Sequence, residues 1–204
     1  MAKKKDENTE ATILEAAKAV FQAKGMDGAR MQEIADKAGI NKAMLHYYYR
    51  NKQLLFEAVF THAFSLLAPQ LKAILNDDSP IEKKIRHFTS NYISFIVDYP
   101  YIPNFIIQEL NRNPDFILKL KDNPSFPNID KFKKQVDEEV KQGLLKPINA
   151  EQLFINIMAL NVFPFVAKPL LKAFTNTGEE AYRQLLEARK TEVADFIIHS
   201  IKTS

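Results

Sequence analysis

Between residues 41 and 52 the chain reads Asn-Lys-Ala-Met-Leu-His-Tyr-Tyr-Tyr-Arg-Asn-Lys, a run of side chains suited to a polyanion. Lys42 and Lys52 can neutralise phosphates. His46, Tyr47 and Tyr48 offer donors on flat rings at the height of a sugar-phosphate backbone. Ala43 and Met44 are small or flexible enough to touch a thymine methyl or allow close approach. Successive helix positions point about 100° apart, so three consecutive tyrosines cannot all be buried on one face. Leu45 and Tyr49 are expected to face inward, leaving Lys42, Ala43, Met44, His46 and Tyr47 outward. Charge points the same way. Residues 1–52 carry ten Lys/Arg against seven Asp/Glu, whereas the remaining 152 carry eighteen of each. The whole net charge of +3 therefore lies in the first quarter of the chain, where a polyanion would be met. Three of those ten cations form the Lys3–Lys5 run, which would serve a solubilising tail equally well.

Other chemistries find no support. His46, His62, His87 and His199 are far apart, and no two stand at helical metal spacing. There is no phosphate-cradling glycine loop and no nucleophile elbow. Zero cysteines exclude disulfides, thiol catalysis and thiolate metal sites, and fit a cytoplasmic chain. The Asp137-Glu138-Glu139 run reads as a solvated helix face. No enzyme activity, cofactor or metal is expected. No window approaches the ~18 apolar residues of a bilayer span. The start, Met1-Ala2-Lys3-Lys4-Lys5-Asp6, has no apolar segment behind it as a secretory signal would. No membrane partner is expected.

Along the chain, helical period dominates and no alternating strand pattern stands out, which predicts an all-α fold. Helix one starts at Asn8 or Thr9, buries Ile13, Ala17, Val20 and Phe21, and stops at Lys24-Gly25. Helix two runs from about Arg30 to Lys37, Gly39 makes the turn, and helix three follows from Asn41. Asn41 is a good N-cap. Ile40 before it and Leu45 within the helix form a hydrophobic staple, the kind of anchor a two-turn helix needs. Helix four runs from Lys52 to about Leu67, before Pro69, and its N-terminal backbone N–H groups also suit a phosphate. Two short helices joined by a glycine turn are the helix-turn-helix arrangement, whose second helix enters the major groove.

These residues resemble the DNA-binding domain of the TetR family. The resemblance is carried by Thr12-Ile13-Leu14-Glu15-Ala16-Ala17, Phe21, Lys24-Gly25, Ile34-Ala35, Ala38-Gly39-Ile40, and above all Asn41 through Leu55. It covers about residues 9–58 without a gap. It implies that Lys42, Ala43 and Met44 approach base edges, that Gln32 reaches a base, and that His46, Tyr47, Tyr48 and Lys52 grip phosphates. Three positions depart from the usual pattern. Ala29-Arg30 stand where Thr or Ser commonly caps helix two, so that Arg30 offers a charged phosphate contact instead. Ala43-Met44 replace a common Gly-Thr pair, and His46 a common Tyr. The expected organisation is a DNA-binding domain over residues 6–66 and a helical ligand-sensing and dimerisation domain over 67–204.

In the larger domain, Pro80 opens a helix with the stripe Ile81, Ile85, Phe88, Tyr92, Phe95 and Tyr99. A short helix spans 103–112, residues 113–128 read as a loop or broken helix, and another helix covers 129–142. Asn149 caps an apolar segment that Pro164 and Pro169 should kink or divide. A final helix runs from about Glu179 to Ile201 with Tyr182, Leu186, Arg189, Val193, Phe196 and Ser200 along one seam, flanked by Leu185 and Ile197. The two last long helices have more apolar surface than one face holds. The family resemblance implies that they pair with symmetry mates, so a homodimer through residues 150–201 is expected over a single-chain core. An apolar ligand site with a few polar groups draws on His62, Phe64, Phe88, Tyr92, Phe95, Phe105, Gln108, Phe154, Asn161 and Phe165. Asn161 stands out because a buried Asn needs partners. The expected function is a repressor of a palindromic operator in double-stranded DNA, released by an unidentified small hydrophobic or planar effector. The alternative is a helical DNA-associated regulator with a filled core, controlled by a protein partner.

Overall fold

A computed structural model describes residues 2–100, 102–113, 118, 121 and 126–203, apart from the side chains of residues 2–7 and Phe105. Among the described residues every element is an α-helix, with one isolated antiparallel bridge between Leu145 and Lys202. The chain divides into two compact units, Met1–Leu66 and Leu67–Ser204.

The first unit holds α1 (Ala2–Gly28), α2 (Met31–Ala38), α3 (Lys42–Tyr48) and the first part of α4 (Lys52–Asn76). Helix α1 begins upstream of the expected Asn8 cap, since Ala, Lys and Glu all favour helix. Its regular path breaks at Gly25, where φ is +68° and ψ 178°, although one more turn carries it to Gly28. Gly39 is left-handed at φ +68° and closes α2, its N–H bonding Asp36 O at 3.1 Å while the Ile40 N–H bonds Ala35 O at 3.0 Å. A Cβ there would be strained, so glycine fixes the turn. Ile13, Ala17, Val20 and Phe21 of α1, Ile34 and Ala35 of α2, Leu45 of α3, and Leu55, Phe56 and Phe60 of α4 are buried. Phe21 meets Phe56 edge to face at 5.0 Å.

Pro69 does not end α4, which continues to Asn76. Leu67, Ala68, Ile74 and Leu75 are buried on both sides of the proline, and their packing outweighs one missing N–H. Contrary to the expectation that no segment approaches a span, α4 is long and apolar enough to cross a bilayer on composition alone. Leu55, Phe56, Val59, Phe60, Ala63, Leu67 and Ala68 of that helix are buried within the protein.

The second unit contains the end of α4, then α5 (Ile81–Asp98), α6 (Ile102–Arg112), α7 (Asp130–Lys141), α8 (Ala150–Val166), α9 (Lys168–Thr175) and α10 (Glu179–Ile201). Helix α5 packs along α10, while α8 touches α5, α6, α7, α9 and α10. Most of 113–128, expected as loop or broken helix, lies outside the described residues. Lys84 is 1% exposed, and its ammonium closes the end of α4 by donating to Ile74 O at 2.8 Å, Leu75 O at 3.3 Å and Asp77 O at 2.8 Å. It also pairs with Asp77 Oδ1 at 2.6 Å. So many partners are what makes a buried ammonium tolerable.

Asn149 caps α8 as expected, accepting from the Gln152 N–H at 2.8 Å. The prolines divide the next segment, with α8 and α9 bent by 78°. Pro164 has no N–H for the Leu160 carbonyl four residues earlier. Arg189 of α10 supplies the missing donor, Nη2 to Leu160 O at 2.6 Å, and the Tyr182 hydroxyl donates to Pro164 O at 2.7 Å. Burial lowers the Arg189 pKa from its ordinary value. The expected single seam of α10 separates in two. Tyr182, Leu186, Val193 and Ile197 are buried within the unit, whereas Phe196 is 66% exposed and Leu185 37%. Composition gave α10 an apolar excess but not the rotation that splits it between two faces.

Candidate nucleic-acid interface

Helix α3 is short enough that its ends decide whether it forms. The Asn41 side chain accepts from the Met44 N–H at 2.7 Å, and the Tyr49 N–H bonds Leu45 O at 2.8 Å. Leu45 is fully buried and Tyr49 is 8% exposed. The Tyr49 hydroxyl donates to Glu10 Oε1 of α1 at 2.9 Å. Its burial, then that hydrogen bond, pushes its pKa up, keeping it a neutral donor. These two anchors leave Lys42, Ala43, Met44, His46 and Tyr47 exposed. Tyr47 is 80% exposed and meets half-buried Tyr48 edge to face at 5.6 Å. The face therefore combines one ammonium, two small or flexible side chains and phenol groups. Such a face can read base edges while touching phosphates.

Other candidates surround α3 with their own constraints. Arg30 is the extended residue before α2, exposed, and makes no side-chain cap, leaving its guanidinium available to an anion. Gln32 is exposed and donates one Nε2 hydrogen to Asp36 Oδ1 at 2.7 Å; the amide's other hydrogen and its Oε1 are the groups a base edge would meet. His46 Nδ1 lies 3.1 Å from Arg50 O. A carbonyl can only accept, so Nδ1 carries the hydrogen and a neutral His46 has no donor left for a phosphate. Lys52, expected as a phosphate anchor, is half-buried and donates to Asp27 O at 3.2 Å and Ala29 O at 3.0 Å. Two of its three ammonium protons already tie α4 to the last turn of α1 and to the link that follows it. Asn51, given no role of its own in the sequence reading, caps α4 by accepting from the Leu54 N–H at 2.9 Å. Its Asn-x-x-Leu spacing is the available signal.

In the second unit, Phe88, Tyr92, Phe95 and Phe165 are buried. Phe88 stacks on Tyr92 at 5.4 Å, and burial pushes the Tyr92 pKa up. Phe154 is half-buried and lies edge-on to Phe132 at 6.2 Å. Not every candidate joins them. Gln108 and His62 are exposed, and His62 and Phe64 belong to the first unit. Phe64 stacks on Phe60 at 6.3 Å, while the Phe105 side chain lies outside the described residues. A crevice beside Phe88, Phe132, Phe154 and Lys84 has room for only about 10 Å³, one water at most. Asn161 is 1% exposed; its Nδ2 donates to Ile157 O at 2.8 Å and Thr89 Oγ1 at 3.4 Å. Glu109 went unnoticed in the sequence, although no carboxylate among the described residues is better hidden, at 0% exposure. Its spacing to Arg112 is legible, but the burial is not.

Residues 13–59 match the family model described as bacterial regulatory proteins, tetR family. The chain is 28% identical over 147 residues to the HTH-type transcriptional regulator RutR of Escherichia coli (strain K12), covering 72% of this chain and 69% of that protein. It is 29% identical over 111 residues to the HTH-type transcriptional repressor NicS of Pseudomonas putida, covering 54% and 46%. Among solved structures, that of HlyIIR, a hemolysin II transcriptional regulator, is similar with a TM-score of 0.59 at 22% identity, covering 97% of this chain and 99% of that one.

Proposed function

This chain belongs to the TetR family of transcriptional regulators, and from that premise we propose a homodimeric repressor that grips a palindromic operator through α3 and is released by a small molecule bound in its second unit. One observation carries the DNA-binding half of this reading. The residues of α3 that contact DNA chemistry demands, Lys42, Ala43, Met44 and Tyr47, are exposed, while Leu45 and Tyr49 hold the helix from below. In this reading Lys42, Ala43 and Met44 meet base edges and Tyr47 meets a phosphate.

An apolar surface supports the dimer. Ile155 and Phe163 of α8 are each 54% exposed, and Phe196 of α10 joins Leu160 and Ile197 in lining a groove of about 340 Å³. A second copy would cover that face, and two copies would carry two recognition helices. The buried aromatic group of Phe88, Tyr92 and Phe165 supports an effector with an apolar body. Selection of DNA from random duplexes by the full chain tests the reading. The expected product is a palindrome with half-sites about 34–36 Å apart, one helical turn. Enrichment of single, unpaired half-sites, or of no sequence, would refute it.

A further inference from the structure

Two buried acceptor atoms on neighbouring helices of the second unit meet no donor among the described residues. Glu109 Oε2 accepts both Nε (3.0 Å) and Nη2 (2.6 Å) of Arg112, yet Glu109 Oε1 accepts no hydrogen bond. Asn161 spends its amide nitrogen on Ile157 and Thr89, and its Oδ1 likewise accepts none. Glu109 is 0% exposed and Asn161 1%. They stand on α6 and α8, helices packed against one another. Each orphan of this kind costs about 1–3 kcal/mol, more where the group is charged. Both are acceptors, which sets the sign of what would relieve them. A carboxylate or phosphate would bring oxygen lone pairs against oxygen lone pairs. An N–H donor would satisfy them, and a protonated amine would add charge attraction to the Glu109 carboxylate, which meets Arg112 through its other oxygen only.

We propose that Glu109 Oε1 and Asn161 Oδ1 are the polar recognition groups of the effector site, and that the effector carries a protonated amine or similar N–H-donor head on an apolar body. Phe88, Tyr92 and Phe165, all buried in this unit, suit the body. This rests on the ligand-gated reading above and adds the chemical class of the ligand.

Three probes with one aromatic body separate the possibilities: 2-naphthylmethylammonium, 2-naphthylmethanol and 2-naphthoate. Each is titrated calorimetrically into the full-length protein, and each is tested for release of the selected operator. The ammonium is expected to bind at least about tenfold more tightly than the naphthoate, a difference of about 1.4 kcal/mol, with the alcohol between. In Glu109→Gln the amide keeps its oxygen toward Arg112 and turns an NH2 into the orphan position. That variant should lose the tenfold preference and favour the alcohol. Asn161→Leu should weaken the ammonium severalfold without strengthening the naphthoate. If melting shows Glu109→Gln to be unfolded, the wild-type order and Asn161→Leu decide. Naphthoate binding as tightly as the ammonium, no ammonium binding at millimolar concentration, or an unchanged order in Glu109→Gln would each overturn the proposal. Operator release by naphthoate alone would overturn it and leave the ligand-gated reading standing. Ammonium binding in the expected order with no effect on operator affinity would do the reverse.

Discussion

Single side chains on and around α3 divide by what else they already hold. Lys42 is exposed, and Tyr47 is exposed with its ring edge to face with Tyr48, so Lys42→Ala and Tyr47→Phe, which keeps that ring, should alter DNA binding without altering the fold. Lys42→Ala is expected to relax the preference at one or two positions of the selected operator, each base mismatch normally costing about 1–3 kcal/mol. Tyr47→Phe should weaken all duplexes alike, since a phosphate contact positions the protein but carries no sequence information. Binding-site selection repeated with each variant distinguishes the two, and a sequence shift in Tyr47→Phe alone would exchange the assignments. Lys52 is different because its ammonium holds Asp27 O and Ala29 O. Lys52→Ala should lower the melting temperature as well as DNA affinity, and reduce the salt slope of binding by no more than about one ion. A loss of affinity with unchanged melting would mean that those two carbonyl bonds contribute nothing.

At the scale of elements, ends and breaks obey local rules, whereas rotations and depths do not. The Gly25 break, the Gly39 turn, and the Asn41 and Asn149 caps all follow from one residue and its near neighbours, and all were legible in the sequence. So was the division at Pro164 and Pro169. The depth of Glu109 and Lys84, the second task of Lys52 and the sharing of α10 between two faces depend on distant residues, which spacing along the chain does not encode. Pro69 shows the rule failing in the other direction, because buried neighbours kept α4 whole. The Pro164 break offers a quantitative check on the tertiary part. Arg189→Met should leave the Leu160 carbonyl without a donor and cost about 1–3 kcal/mol. In a Pro164→Ala background the backbone N–H restored by the substitution can take over that carbonyl, and the same Arg189→Met change should cost about 0.5 kcal/mol or less. Chemical denaturation of the four proteins in this double-mutant cycle measures the coupling. Additive losses would show that Arg189 acts through packing and not as the donor the proline lacks.

For the whole molecule, charge and apolar surface set the conditions under which it holds together. Burial alone would raise the Asp77 pKa, but hydrogen bonds from Lys84 and Ser79 outweigh it and hold the carboxyl at about 2. A depressed carboxyl contributes its stability above the unfolded value, about 3.9, and loses it as pH falls toward 2. The second unit should therefore lose about 1 kcal/mol between about pH 5 and pH 2 from this pair, after discounting for the 39% exposure of the Asp77 side chain. Asp77→Asn should flatten that part of the pH–stability curve, and an equally steep curve in the variant would clear Asp77 of the role. Apolar surface bears on assembly. A stable pair usually buries about 1,200 Å² or more in total, and the face of α8 and α10 presents Ile155, Phe163, Leu185 and Phe196 for it. Phe196 is 66% exposed in the single chain, so Phe196→Glu should leave the protomer fold within about 0.5 kcal/mol of wild type. Against a symmetry mate the same change sets a carboxylate in an apolar interface on both sides at once. Sedimentation at micromolar concentration is then expected to give a species near 23.4 kDa for the variant and twice that mass for the wild type. Because one bound half-site raises the effective concentration of the other, operator affinity should fall by about 10²–10⁴ in the variant, while the preference within a half-site stays unchanged. A Phe196→Glu protein that still sediments as a dimer and binds the operator normally would place the dimer contact elsewhere on the chain.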